Sequence, residues 1–149
     1  MKEPIVGDST CLIGLERIGR LDILSELFEP IFISHEVAKE FGVSLSWLKV
    51  ETPSNFALVN ALKLSVDDGE AEAIALALEK NCKIILDDKQ ARSVAGKLGL
   101  EIVGTVGMFV RAKQNGLIDS LKIILDDLEN NGFRMSENLK AEALKIVGE

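Results

Sequence analysis

Ile5-Val6-Gly7-Asp8 and Ile84-Ile85-Leu86-Asp87-Asp88 are two short apolar runs that each end in acidic residues. A short apolar run bounded by turn-forming residues predicts a strand that is buried on both faces, as in a parallel sheet. Ligands of open α/β sheets bind outside the carboxyl ends of such strands. The two stretches therefore predict a fold class and the place of a site within it.

Strand and helix patterns alternate around these two runs. Further strands are predicted at 31–33, where Pro30 opens the strand, at 99–103, and at the sheet edge over 48–51. Helical spacing of apolar residues separates the strands along the chain. Such an alternation predicts a parallel sheet with helices on both faces. We expect an α/β fold of three layers, α/β/α, around a central, mostly parallel sheet of four to five strands.

The length of 149 residues and the hydrophobic content of 47% predict a single domain over 1–149. Within it, the sequence predicts an α/β core over 1–116 and a helical C-terminal extension over 117–149. The apolar positions of this extension predict a cover on the sheet, and pairing with a second chain is the alternative. These positions are Leu117, Leu121, Ile124, Leu125 and Leu128.

The composition of the chain argues against several classes of protein. No stretch approaches the roughly 18 apolar residues of a membrane span, and the N-terminus lacks the apolar segment of a signal peptide, so we expect a soluble, cytoplasmic protein. Cys11 and Cys82 lie in apolar surroundings without metal-ligand spacing, which predicts buried, reduced thiols. His35 is the only histidine, which argues against a catalytic triad and a histidine-rich zinc site.

The chain carries 17 Lys and Arg against 24 Asp and Glu, a formal charge of −7. Proteins that hold nucleic acid by bulk electrostatics are basic. If nucleic acid is the partner of this chain, bound metal and a local basic patch must offset the acidic surface.

Four acidic residues fall where a predicted strand is followed by a helix, or within the first turns of such a helix: Asp8, Glu40, Glu70 and Asp88. Each has a simpler explanation. The two aspartates could cap helices, and the two glutamates could complement a helix dipole or lie on a solvated face. Asp87 weakens the capping explanation for Asp88, because adjacent carboxylates repel unless a cation lies between them.

Taken together, the four positions predict one carboxylate cluster at one edge of the sheet. Hard oxygen ligands suit Mg²⁺ or Mn²⁺, and Asp87 is a further candidate ligand. One ion, or two, would polarise a scissile phosphate and lower the pKa of an attacking water. Ser9 and Thr10 are predicted to hydrogen-bond a carboxylate or phosphate oxygen. Arg92, one helical turn past Asp88, is predicted to neutralise the substrate backbone, although a solvated helix face also accounts for it.

A metal-dependent phosphatase acting on a small phosphoester is a further alternative. Against it, the first strand is not followed by an Asp-x-Asp motif, and the chain has no glycine-rich phosphate loop of Walker type.

Four stretches resemble, in order, the motifs of PIN-domain nucleases, and the resemblance covers roughly residues 4–115. They are Ile5-Val6-Gly7-Asp8-Ser9-Thr10-Cys11-Leu12-Ile13, Phe32-Ile33-Ser34 with Val37-Ala38-Lys39-Glu40, Gly69-Glu70-Ala71-Glu72-Ala73-Ile74, and Ile84-Ile85-Leu86-Asp87-Asp88. The later segments 104–107 and 132–136 are similar to a poorly characterised prokaryotic PIN-like group related to VapC-type toxins. Two departures stand out: Glu70 replaces the aspartate common in toxins, and two acids rather than one end the fourth motif.

The resemblance implies Mg²⁺- or Mn²⁺-dependent hydrolysis of RNA, single-stranded in particular, often by the toxin of a toxin–antitoxin pair. It also implies a homodimer and an antitoxin protein as partner. The alternative function is a catalytically inactive PIN-like module that binds a partner or oligomerises. The acidic net charge and the lack of a basic stripe in the sequence favour that alternative.

Overall fold

The computed structural model describes residues 2–149, which form five strands and the helices around them. The strands are β1 Glu3–Val6, β2 Phe28–Ile33, β3 Leu48–Val50, β4 Lys83–Ile85 and β5 Ile102–Val103. The helices are α1 Ser9–Arg17, α2 Asp22–Leu27, α3 His35–Phe41, α4 Phe56–Leu62, α5 Asp68–Lys80, α6 Lys89–Lys97, α7 Thr105–Gln114, α8 Leu121–Asn130 and α9 Glu137–Ile146.

The sheet has the order β3-β2-β1-β4-β5, and every pairing is parallel. β1 lies in the middle, with Ile5 opposite Ile31 of β2 on one side and opposite Lys83 of β4 on the other. The chain builds outwards from β1 to β3 and then returns to the other side of β1. The direction of winding therefore changes between β1 and β4, and this change opens a crevice at their carboxyl ends.

Both faces of the sheet are covered, as the sequence predicts. Successive residues of a strand point to opposite faces. Ile5 and Ile85 belong to the core under α1, α2, α7 and α8, whereas Val6 and Ile84 belong to the core under α4, α5 and α6. This three-layer α/β/α arrangement confirms the predicted fold class, with five strands that are all parallel.

The helices after residue 116 form part of the cover. Leu121, Ile124, Leu125 and Leu128 are buried in the same core as β1, and Leu117 packs against it. The apolar face of α8 therefore lies on this chain's own sheet layer, which confirms the cover. The four buried side chains of α8 are therefore not available for pairing with a second chain, and Leu117 is half-buried.

Three details differ from the prediction. β2 begins at Phe28 rather than after Pro30, because the β1–β2 register shifts between Glu3 and Ile5 and Pro30 lies in the irregular stretch, where its missing N–H is tolerated. β5 is limited to Ile102–Val103. Cys82 is only half-buried, because it lies before the buried part of β4.

None of the helices in residues 2–149 combines the length and the apolar character needed to cross a membrane.

The cover formed by α8 gives a first prediction. Leu125 is 0% exposed and Ile123, two residues earlier on the same helix, is 64% exposed. We expect Leu125→Ala to lower the free energy of unfolding by about 3 kcal/mol, because a buried cavity forms. The matched Ile123→Ala should change it by no more than about 0.5 kcal/mol. Urea unfolding measures both, and equal losses would contradict the assigned faces.

Candidate active site

Asp8 lies at the crevice between β1 and β4, two residues beyond the end of β1. The Gly7 N–H before it donates to the carbonyl of Phe32 at 2.8 Å, which holds this turn against β2. Asp8 occupies the N-cap position of α1, yet its side chain makes no capping hydrogen bond. It is only 5% exposed. Capping therefore does not account for this buried carboxyl group.

The surroundings of Asp8 favour its neutral form. Burial, together with the nearby carboxylate of Glu70, raises the pKa of Asp8 to about 7. Asp87 and Asp67 act in the same direction, while a hydrogen bond from the Ser9 backbone opposes them. Burial and like charge therefore disfavour ionisation of the Asp8 carboxyl group.

Glu70 is the second buried carboxyl group, 8% exposed in the first turn of α5. A capping box holds it: the Glu70 N–H donates to Asp67 Oδ1 at 2.8 Å, and the Asp67 N–H donates to Glu70 Oε1 at 3.1 Å. Burial raises the pKa of Glu70 to about 7 despite the hydrogen bond from Asp67, and the charges of Asp67, Asp88 and Glu40 contribute. The side chain is thus both a structural cap and part of an acidic cluster.

Glu40 reaches the same edge from the end of α3, although its side chain is exposed. Its Oε2 accepts a hydrogen bond from the Ser9 hydroxyl at 3.3 Å. Its Oε1 lies so close to Gly69 that a Cβ at that position would clash with it. Burial and the neighbouring charge of Asp67 raise the pKa of Glu40. Glu40 therefore connects the first turns of α1 and α5, and Gly69 provides the space for it.

The two aspartates after β4 have different surroundings. Asp88 is exposed and caps α6, since its Oδ2 accepts the Ala91 N–H at 2.9 Å. Asp87 accepts two bonds from Thr105 at the start of α7: the N–H at 2.8 Å to Oδ1 and the hydroxyl at 2.6 Å to Oδ2. Both oxygens of Asp87 therefore accept hydrogen bonds that hold the start of α7 against the end of β4. Only Oδ2 of Asp88 accepts a capping bond, and its Oδ1 does not.

The candidate substrate-binding residues lie at the same edge. The Ser9 hydroxyl is committed to Glu40, and Thr10 is exposed at the start of α1. Arg92 donates to the Leu86 carbonyl at 2.7 Å, which holds its guanidinium beside the end of β4. His35 is exposed at the first position of α3.

Within residues 2–149, the acidic cluster has no cationic partner. Among residues 2–149, no Lys, Arg or His forms an ion pair with Asp8, Glu40, Glu70, Asp87 or Asp88. In the same part of the chain, no three His, Cys, Asp or Glu side chains are grouped closely enough to hold a metal ion by themselves. The donor chemistry nevertheless fits Mg²⁺ or Mn²⁺, because these hard ions take one or two carboxylates and complete their shell with water and phosphate.

Two contributors to the site were missed by the sequence reasoning. Asp67 has a local signal, because Asp67 and Glu70 show the spacing of a capping box before a helical run. Thr105 has none, since it lies 18 positions after Asp87 in the chain and only the fold brings the two together.

An all-parallel α/β sheet with carboxyl groups collected at the point where its winding reverses defines a class of domain with an acidic site at the strand ends. Within that class, a family model described as a PIN domain matches residues 4–149. The chain belongs to the PIN-domain family. PIN domains are generally nucleases, and they typically use divalent metal ions. Comparison with curated proteins and with solved structures gives no match.

The raised pKa values predict how stability depends on pH. Asp8 and Glu70 have a pKa of about 7 in the fold, against ordinary values of 3.8 and 4.5. The folded state therefore keeps protons that the unfolded state has lost, and this stabilisation, complete below pH 4, disappears as the pH rises through 7. We expect the metal-free protein to lose roughly 2 kcal/mol or more between pH 5 and pH 8.

Asp8→Asn isolates this effect, because asparagine cannot ionise. Urea unfolding in EDTA across this pH range should show a smaller loss for the variant than for the wild type. Identical pH dependence in the two proteins would contradict the assigned pKa of Asp8.

The bond between Thr105 and Asp87 gives a separate prediction. Thr105 is 0% exposed, and Thr105→Val keeps its shape but removes the hydroxyl donor. We expect a loss of about 1–3 kcal/mol in the free energy of unfolding, because Asp87 Oδ2 loses its hydroxyl donor while Oδ1 keeps the backbone N–H. Thr105→Ser keeps the donor and should lose less. Chemical unfolding compares the two variants, and a larger loss for serine than for valine would show that the hydroxyl does not matter.

Proposed function

We propose that this PIN domain is a divalent-metal-dependent endoribonuclease that hydrolyses single-stranded RNA. The observation that supports it is the pair of buried carboxyl groups, Asp8 and Glu70, at the crevice between β1 and β4. Both have a pKa raised to about 7, and neither has a cationic partner in the described chain. Uncompensated buried carboxylates are costly, and a divalent cation is a partner that offsets this cost.

Asp8 and Glu70 would hold the ion, with Asp88 contributing from the end of β4 and Glu40 from the rim. Asp87 is the least available of the candidate ligands, because both of its oxygens accept hydrogen bonds from Thr105. A bound Mg²⁺ or Mn²⁺ supplies polarisation of the scissile phosphate and activation of water.

The remaining residues position the substrate and the carboxylates. Ser9 orients Glu40 through its hydroxyl. Arg92 is held at the strand end by the Leu86 carbonyl, so its other N–H groups are placed to neutralise a phosphate. The exposed hydroxyl of Thr10 can donate to a phosphate oxygen beside the acids. Together these groups would fix the RNA backbone against the carboxylate cluster.

The resemblance to VapC-type toxins supports a finer form of the proposal. The enzyme would be the toxin of a toxin–antitoxin pair, form a homodimer, and be inhibited by an antitoxin protein. A small neighbouring reading frame that encodes a DNA-binding protein would support this form.

A second candidate function is a PIN-like binding module without nuclease activity. It is favoured by one observation: no three potential ligands in residues 2–149 are grouped closely enough to hold a metal. In that case the acids would act only through their hydrogen bonds within the fold.

Cleavage of labelled single-stranded RNA in Mn²⁺, Mg²⁺ or EDTA tests the proposal. We expect Asp8→Asn, Glu70→Gln and Asp88→Asn each to reduce the rate by about 100-fold or more, because a ligand charge is lost. Asparagine remains a good N-cap and glutamine can complete a capping box, so the helix starts are preserved. Glu72→Gln on α5 is the matched control and should cleave at the wild-type rate.

A binding measurement separates the two candidate functions. If the site holds metal, Mn²⁺ should raise the thermal unfolding temperature of the wild type and of Glu72→Gln in a concentration-dependent way, but not that of Asp8→Asn. Absence of cleavage with every metal, together with no thermal shift, would favour the binding module. Cleavage that persists in all three acidic-site variants would refute the site.

A further inference from the structure

A groove of about 490 Å³ lies directly beside the acidic cluster. It runs between α1 and the loop that joins α8 to α9. Its lining includes Thr10 and Asp88 from the candidate active site and Arg17, Phe133 and Arg134 from outside it. Its volume falls within the roughly 300–1,000 Å³ of small-ligand sites, enough for one nucleotide. The last three residues lie outside the carboxylate cluster and its neighbours Ser9, Thr10 and Arg92.

Phe133 is fixed in this groove by close packing. A Cβ on Gly14 of α1 would lie 3.1 Å from the Phe133 ring, so the ring rests directly on this glycine. The Phe133 N–H donates to the Leu128 carbonyl at 2.9 Å, which ties the loop to the end of α8. The side chain is half-buried, and the groove retains part of an aromatic surface.

Two arginines accompany this ring. Arg17 donates to the Asn131 carbonyl at 3.2 Å, which anchors its guanidinium where α1 meets the loop. Arg134 is exposed and makes no side-chain hydrogen bond with any other residue of the range 2–149. Neither arginine forms an ion pair within that range, although the chain has a formal charge of −7. Two uncompensated cations thus line the same groove as Asp87 and Asp88.

We propose that this groove binds the nucleotide next to the scissile bond of a single-stranded RNA. Arg17 and Arg134 bind its phosphate, and Phe133 stacks on its base. An aromatic ring beside arginines is the combination that recognises unpaired bases and the backbone that carries them. The proposal rests on the ribonuclease function proposed above, since the acids of the groove would bind the neighbouring scissile phosphate only through a metal ion.

An acidic protein segment fits the groove less well. It would satisfy the two arginines, but it would make no use of the aromatic ring and would be repelled by Asp87 and Asp88. Duplex RNA offers its phosphates without an unstacked base for Phe133.

Steady-state cleavage of a labelled single-stranded RNA in Mn²⁺ tests the groove. We expect Arg134→Gln and Phe133→Leu each to raise KM about fivefold or more, with kcat within about twofold, because a contact to a neighbouring nucleotide is lost. The salt dependence of KM should weaken in Arg134→Gln by about 0.7 in the log–log slope. Lys97→Gln removes one positive charge from an exposed side chain outside the groove; it is the control and should behave as wild type. Arg134 is exposed and has no ion-pair partner among residues 2–149, so its variant should keep the wild-type unfolding temperature.

The outcomes separate the two proposals. Cleavage by the wild type with unchanged KM in both groove variants would overturn the nucleotide site and leave the nuclease intact. No binding or cleavage of RNA by the wild type would overturn the nuclease and the nucleotide site together. Competition by an oligo-glutamate peptide as strong as that by unlabelled single-stranded RNA would assign the groove to acidic protein segments and overturn the proposal.

Discussion

The rest of the site depends on the parallel pairing of β1 with β2 on one side and with β4 on the other. Because the winding reverses between β1 and β4, the turns that follow these strands face one crevice. Asp8 is carried into that crevice by the first turn and Asp87 by the second. A carboxyl group there is buried and lies near other carboxylates, and burial first, then the charge of Glu70, raises the pKa of Asp8.

Several of these acids also form hydrogen bonds that fix the start of a helix. Asp67 and Glu70 close a capping box at the start of α5, and Asp88 caps α6. Asp87 fastens α7 through Thr105. These hydrogen bonds fix the carboxylates without neutralising them, since none of the donors is a cation. Helix capping and a metal site are therefore not competing explanations for Asp88 and Glu70, because one carboxylate has oxygens enough for both.

Much of the fold could be predicted from local sequence, because buried strands such as Ile5-Val6 and Ile84-Ile85 are short apolar runs between turn residues. The start of β2 could not, since the irregularity at Pro30 depends on its register with β1. The acids at the strand ends could also be predicted. The contact of Thr105 with Asp87 could not, because it joins two distant parts of the chain, and the place of Phe133 against Gly14 depends on how the last loop returns to α1.

The net charge of −7 is less of an obstacle to an RNA substrate than the sequence alone suggests. Long-range attraction depends on the total charge, whereas binding at close range depends on which charges remain unpaired. Asp87 and Asp88 line the groove, and several acidic residues elsewhere are paired, as Glu3 is with Lys83 and Arg111. Arg17 and Arg134 have no such partner in the part of the chain that the structure describes. A strand of RNA would therefore meet two available cations at the groove, and an acidic surface elsewhere would disfavour binding outside it.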